Sequence, residues 1–122
     1  MAVVLSGEGR VIGTGYNGSP HGFPHCIDGA CPRLHDGTPS GQRYDNCIAL
    51  HAEQNALLYS DRSLRVGGTL FVNGTPCSWC AKEIAGSGLA RVVCMNDDSF
   101  ASWSDSRTFL MILGVTVDEL AV

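Results

Sequence analysis

Apolar positions fall in short runs at the start of the chain and again through its second half, with a long polar stretch between them. Ala2–Leu5 is apolar, Ser6-Gly7-Glu8-Gly9 is turn chemistry, and Val11 and Ile12 resume the pattern within Arg10–Gly15. Two short runs around a Gly-rich turn predict a β-hairpin. From 15 to 46 the chain is rich in Gly, Pro, His, Asp and Cys and shows no period. So long a stretch without regular structure is usually functional or tied down by something else.

Ile48–Ser60 carries Ala52, Ala56 and Leu57 at helical spacing, which predicts a helix with His51 and Glu53 in its first turn. Gly67-Gly68 interrupts the chain, and Thr69–Val72 reads as a buried strand. Pro76 suits the first turn of a second helix running to about Ser87, which Gly86 and Gly88 end. Arg91–Met95 is another buried strand. After the polar stretch Asn96–Asp105, Ser106–Leu113 reads as helix, Gly114 stops it, and Val115–Val117 is a last strand. The order β-β-α-β-α-β-α-β predicts an α/β fold with parallel pairing in the second half and helices packed on the sheet.

Composition narrows this picture. A chain of 122 residues, 44% of them apolar, supports one packed domain over 1–122 without disulfide staples. A net charge of −4 and the lack of a Lys/Arg stripe argue against a dedicated DNA- or tRNA-binding module, though not against a small anionic substrate. Met1–Leu5 is too short for a signal peptide and lacks a basic start, and no apolar run approaches membrane-spanning length. Six cysteines interleaved with histidines in such a chain predict metal ligands in a reducing cytoplasm rather than disulfides.

The chemistry concentrates in His51-Ala52-Glu53 and Pro76-Cys77-Ser78-Trp79-Cys80. His51, Cys77 and Cys80 offer three zinc ligands of mixed N/S type, which leaves a fourth position open, as catalytic zinc sites require. At i, i+3 on one helix, the two cysteines are neighbours at an N-terminus whose dipole favours thiolates. Zinc lowers the pKa of a bound water from about 15.7 to roughly 7. Glu53, two residues from the histidine, is the candidate to move protons from that water to a ring nitrogen and a leaving amine. A His-x-Glu followed by Pro-Cys-x-x-Cys is the arrangement of the zinc nucleobase deaminases. Backbone groups near Thr75 and Pro76 are candidates to contact a pyrimidine edge, with Ala52 as a further substrate contact. The rival readings are a redox Cys-x-x-Cys pair, a structural zinc completed by Cys94 or another cysteine, and a buried His51 that binds no metal.

Gly15-Tyr16-Asn17-Gly18-Ser19-Pro20-His21-Gly22-Phe23-Pro24-His25-Cys26, His51-Ala52-Glu53-Gln54-Asn55-Ala56, Gly68-Thr69-Leu70-Phe71-Val72 and the Pro-Cys-x-x-Cys segment together resemble the bacterial and phage deoxycytidylate (dCMP) deaminases. The motifs extend from about residue 2 to 117. The His-Ala-Glu and Pro-Cys-x-x-Cys pair marks only the wider superfamily of cytosine, guanine and tRNA-adenosine deaminases, whereas Gly-Tyr-Asn-Gly-x-Pro points to dCMP. The resemblance implies a five-stranded mixed sheet flanked by helices, zinc on His51, Cys77 and Cys80, Glu53 as proton shuttle, and Asn17 on the sugar or a nearby nucleotide group. It also implies a homo-oligomer, dimer or hexamer, with control by dCTP and dTTP in some members. One departure is expected: family members carry a helix before the first strand and this chain starts almost at that strand, so either its start is truncated or the protein does without the helix, whose loss would bare apolar surface unless a partner subunit covers it. Rival substrates are a modified cytidylate, a free base or a guanine-type ring, and a non-catalytic zinc or nucleotide-binding module is the rival of another class.

A second metal is expected in the irregular stretch. Cys26, Cys31, His35 and Cys47 form a four-ligand set suited to a closed structural zinc, with His25 as an alternative ligand. Arg33, Arg43 and Arg107 are candidates for a 5′-phosphate. Trp79 is expected to pack against the sheet, with base stacking as the alternative. Phe100 and Trp103 are expected at the substrate mouth or in the core, and Cys94 as a small apolar residue ending a strand.

Overall fold

The computed structural model describes residues 1–22, 49–96 and 102–121. Alternation in Ala2–Leu5 (β1) buries Ala2 and Val4 and turns Val3 and Leu5 toward the edge of the core. Ser6 closes the turn by accepting the Glu8 and Arg10 N–H groups on its hydroxyl at 3.3 and 3.2 Å. Val11–Gly15 (β2) then returns antiparallel, with Ala2 opposite Gly15 and Val4 opposite Gly13. The register shifts between Val4 and Leu5, a bulge that bends the hairpin. The expected hairpin is therefore present.

Three further strands complete one sheet in the order β2-β1-β3-β4-β5. Thr69–Val72 (β3) pairs antiparallel with β1 and parallel with Arg91–Asn96 (β4). Thr116–Ala121 (β5) pairs parallel with β4 from Thr116 opposite Arg91 to Ala121 opposite Asn96. The five-stranded mixed sheet flanked by helices is thus the fold. Leu70, Val92, Val4, Ile84 and Leu110 are fully buried and fill the space between the sheet and its helices.

Helix boundaries differ from the expected ones for local reasons. The first helix, α1 (Ala52–Leu58), starts later than Ile48 because Leu50 is held extended by a two-way bridge to Gly18, at 3.1 and 2.8 Å. Arg62–Arg65 (α2) was not anticipated. Its signal is Asp61, whose carboxylate accepts the Ser63 N–H at 2.8 Å as an N-cap. The next helix, α3 (Ser78–Ala85), has Cys77 as its N-cap, so Pro76 precedes the cap instead of occupying the first turn. The last, α4 (Trp103–Ile112), starts before Ser106 because Trp103, Ser106 and Leu110 form a buried i, i+3, i+7 stripe across a segment whose polar surface hid it. Among the described residues no helix is long and apolar enough to cross a membrane.

Close approach of backbone positions α1. A Cβ on Gly15 would run into the Ala52 carbonyl and the Ala56 amide nitrogen, so only glycine lets β2 lie against the helix. The first turn of α1 and the carboxyl end of β3, which leads into α3, are thereby brought together.

Candidate metal centre and active site

His51 stands at the N-cap of α1 in extended conformation, φ −69° and ψ 158°. Its backbone N–H donates to Gln54 Oε1 at 2.8 Å, the arm of a capping box that reaches back from the third helical position. The Gln54 amide in turn donates to Glu83 Oε1 at 3.0 Å on α3. One side chain thus fixes the histidine backbone and braces the two ligand-bearing helices against each other. Sequence reading missed Gln54, although a Gln three residues after the cap is the recognised signal for this role.

Cys77 and Cys80 lie at the start of α3 and are both buried. His51 Nδ1 is 3.4 Å from Cys77 Sγ and 3.3 Å from Cys80 Sγ. The three donor atoms lie within 4.8 Å of one another, and they form the metal-capable cluster of His, Cys, Asp and Glu found among the described residues. Nitrogen and sulfur bound tetrahedrally to one zinc, at about 2.0–2.1 and 2.3 Å, sit roughly 3.5 Å apart. The donors present therefore match zinc in identity and spacing. Cys94, fully buried in the core cluster, is not part of the group, so the alternative of a closed four-ligand site through Cys94 is not the arrangement seen.

The electrostatics follow from crowding. Cys77 is pushed down to about 4, first by a hydrogen bond from the Cys80 side chain and then by His51, against the opposing effect of burial. Cys80 is pushed strongly upward by the same contact and by burial. The same contact thus shifts the two thiols in opposite directions, Cys77 toward the thiolate and Cys80 away from it. The hydrogen bond to Cys77 raises the His51 pKa. Burial raises the Glu53 carboxyl above the usual carboxylate range, while its backbone hydrogen bond, His51 and the Cys80 side chain pull it back. Glu53 is 7% exposed, and its carboxyl is influenced by the His51 and Cys80 side chains of the donor cluster.

The remaining expected residues divide. Asn17 Oδ1 accepts the Ala52 N–H at 2.7 Å, which ties the loop after β2 to the residue between His51 and Glu53. Thr75 and Pro76 are buried immediately before Cys77. Trp79 corrects the expectation that it packs against the sheet: it is 57% exposed, with the Lys82 ammonium 5.3 Å from its ring centroid. Its place in the first turn of α3 points it outward while Cys77 and Cys80 point in. Trp103 is a core residue whose indole N–H donates to Glu119. Arg107 is paired with Glu119 at 3.2 Å on β5. Cys26, Cys31, His35, Cys47, His25, Arg33, Arg43 and Phe100 lie outside the described residues. A cavity of about 220 Å³ opens beside the cluster rather than on it, lined by Tyr16, Ser19, His21, Asn55 and Tyr59 among others and by none of the three donors.

The family model described as the cytidine and deoxycytidylate deaminase zinc-binding region matches residues 1–96. The chain belongs to this family. It is 45% identical to the deoxycytidylate deaminase of Mycobacterium phage D29 over 76% of this chain and 75% of that protein. It is 38% identical to the deoxycytidylate deaminase of Saccharomyces cerevisiae over 99% of this chain. The chain spans only 38% of that yeast protein's length. A solved dCMP deaminase from the cyanophage S-TIM5, in complex with dCMP and dUMP, superposes with a TM-score of 0.67 at 31% identity, covering 98% of this chain and 79% of that one. The family binds zinc, and the His51–Cys77–Cys80 group is the donor set suited to it.

Proposed function

We propose that this chain converts dCMP and water to dUMP and ammonia. The observation that carries the reading is the convergence of one imidazole and two thiols beside the buried carboxyl of Glu53. Relatives named deoxycytidylate deaminase support dCMP as the substrate.

His51, Cys77 and Cys80 would hold a zinc ion, which would supply the Lewis acidity that lets water act as a nucleophile near neutral pH. Glu53 takes a proton from the attacking water and places it on N3 of the cytosine ring. It then carries the second proton to the exocyclic nitrogen. The C4–O bond forms, the C4–N bond breaks, and the nitrogen leaves as ammonia. Burial raises the Glu53 pKa, which makes its carboxylate a stronger base toward the attacking water than a freely solvated one, while its conjugate acid still hands the proton on to the ring nitrogen and the amine. Asn17, exposed and anchored through Oδ1, presents its side-chain NH₂ to the nucleotide sugar. Backbone groups of Ala52, Thr75 and Pro76 border the ring.

The same reading includes a single domain over 1–122, a cytoplasmic location and a homo-oligomer. Exposed Leu58, Tyr59, Ile112 and Leu113 are apolar surface that a second copy would cover. Light scattering of the purified protein tests the oligomer. Cys26, Cys31, His35 and Cys47 remain the proposed second zinc site, and metal counting separates two ions per chain from one.

The deciding experiment is a panel of dCMP, deoxycytidine, CMP, cytosine and guanine, followed by loss of ultraviolet absorbance. Turnover of dCMP above the others is expected. Turnover of another member and not dCMP overturns the substrate assignment, and turnover of none overturns the enzyme.

A further inference from the structure

Thr75 sits between the end of β3 and the first ligand of α3, and it is 2% exposed. Its hydroxyl Oγ1 is buried and has no hydrogen-bond partner among the described residues. Buried hydroxyls are nearly always partnered, and an orphan one calls for an explanation such as a ligand. We propose that the Thr75 hydroxyl is a recognition group for the C4 edge of the pyrimidine, an assignment that rests on the deaminase reading above.

Location supports this. All peptide bonds among the described residues are trans, and consecutive Cα atoms across them are about 3.8 Å apart, so Thr75 Cα lies within about 7.6 Å of that of Cys77. The carbon under attack must sit beside the ion that Cys77 helps to hold, which places it within reach of a side chain two residues away.

Chemistry supports it further. During deamination the substituent at C4 changes from an amine, a hydrogen-bond donor, to a carbonyl, an acceptor. A backbone carbonyl can serve only the first. Pro76, the next residue, has no N–H with which to serve the second. A hydroxyl both donates and accepts and rotates to suit. Threonine is also stiff about χ1, so its oxygen is held in place before the ring arrives.

The test uses Thr75→Val, which keeps the shape and removes the hydroxyl, and Thr75→Ser, which keeps the hydroxyl. Zinc content, melting temperature without ligand, kcat/KM for dCMP and the affinity for dUMP are measured for each. Thr75→Val is expected to keep its zinc, to melt no lower than wild type, to lose roughly tenfold in kcat/KM, and to bind dUMP more weakly by a similar factor. Thr75→Ser is expected to stay within about threefold of wild type in both.

Unchanged kcat/KM and dUMP affinity in Thr75→Val overturn the inference. So does a lowered melting temperature with unaltered dUMP affinity, which marks a hydroxyl used in folding alone. If Thr75→Val does not fold, Thr75→Ser decides against Thr75→Ala: equal dUMP affinity in the two overturns the inference, and tighter binding by the serine variant supports it. A wild-type protein inert toward dCMP removes the functional reading and this inference together, whereas an active wild type with an indifferent valine variant removes this inference alone.

Discussion

The side-chain oxygen of Asn17 accepts the backbone N–H of Ala52 at 2.7 Å. A residue distant in sequence thereby satisfies one of the orphan donors at the start of α1, between the imidazole and the carboxyl of the site. Asn17→Ala leaves that N–H without a protein acceptor and is expected to cost about 1 kcal/mol of stability, the usual worth of a capping side chain. Urea unfolding measures it. Because the loosened turn carries His51 and Glu53, kcat should fall along with stability, and a variant with full stability loss but wild-type kcat would separate the two roles.

Glu53→Gln keeps the size of the side chain and removes its basicity. The variant is expected to retain its zinc, since the carboxyl is not among the three donors, and to lose roughly 10²–10⁴-fold or more in turnover. Metal analysis beside a steady-state assay checks both halves. Retained activity in a zinc-loaded variant assigns the proton transfer to another group.

Zinc uptake should release protons. Crowding pushes the Cys77 thiol down to about 4 and the Cys80 thiol strongly upward, away from its deprotonated form. A ligating thiol must be deprotonated, so binding expels the Cys80 proton and affinity rises with pH, by about tenfold per unit for each proton released. Competition with a chelator across pH 6 to 8, on the order of two units of span, reads the slope. Prolonged chelation is expected to lower the melting temperature as well, because the ion is bound by the folded chain and not by the unfolded one.

Arg65 is buried, and its guanidinium donates to Ser87 O at 3.0 Å, Leu57 O at 2.9 Å, Ser60 O at 2.9 Å and Ser60 Oγ at 2.7 Å. It gathers carbonyls at the end of α1 and in the turn after α3, of which Leu57 O also accepts from the Ser60 N–H and hydroxyl. Arg65→Met fills the space and takes this donor from them, with an expected loss of about 2–4 kcal/mol by denaturant unfolding. Arg65→Lys should recover only part of it, because an ammonium cannot reproduce the planar fork.

The sheet was readable in the sequence because its strands are short apolar runs between glycine turns, and β1, β2, β3 and β4 lie where those runs lie. The donor set was readable because zinc ligands must be His and Cys at spacings that a helix start can present. Three features were hidden for distinct reasons. The beginning of α1 is set by the Gly18–Leu50 bridge, a long-range contact that no local pattern records. The span of β5 is masked by Asp118 and Glu119, which look like loop residues but pair with Arg91 and Arg107. Trp79 read as core by residue type alone, and only the direction of Cys77 and Cys80 into the cluster turns it outward.

The chain holds two tryptophans, and they occupy opposite environments. Trp103 is enclosed in the core, whereas Trp79 stands in solvent between two sulfur ligands. Their fluorescence therefore reports two events at different wavelengths. Loosening of the cysteine turn alters the red-shifted emission of Trp79 and leaves the blue-shifted emission of Trp103 in place until the whole fold gives way. The protein carries its own optical gauge, by which loss of the ion can be timed against unfolding without any added label.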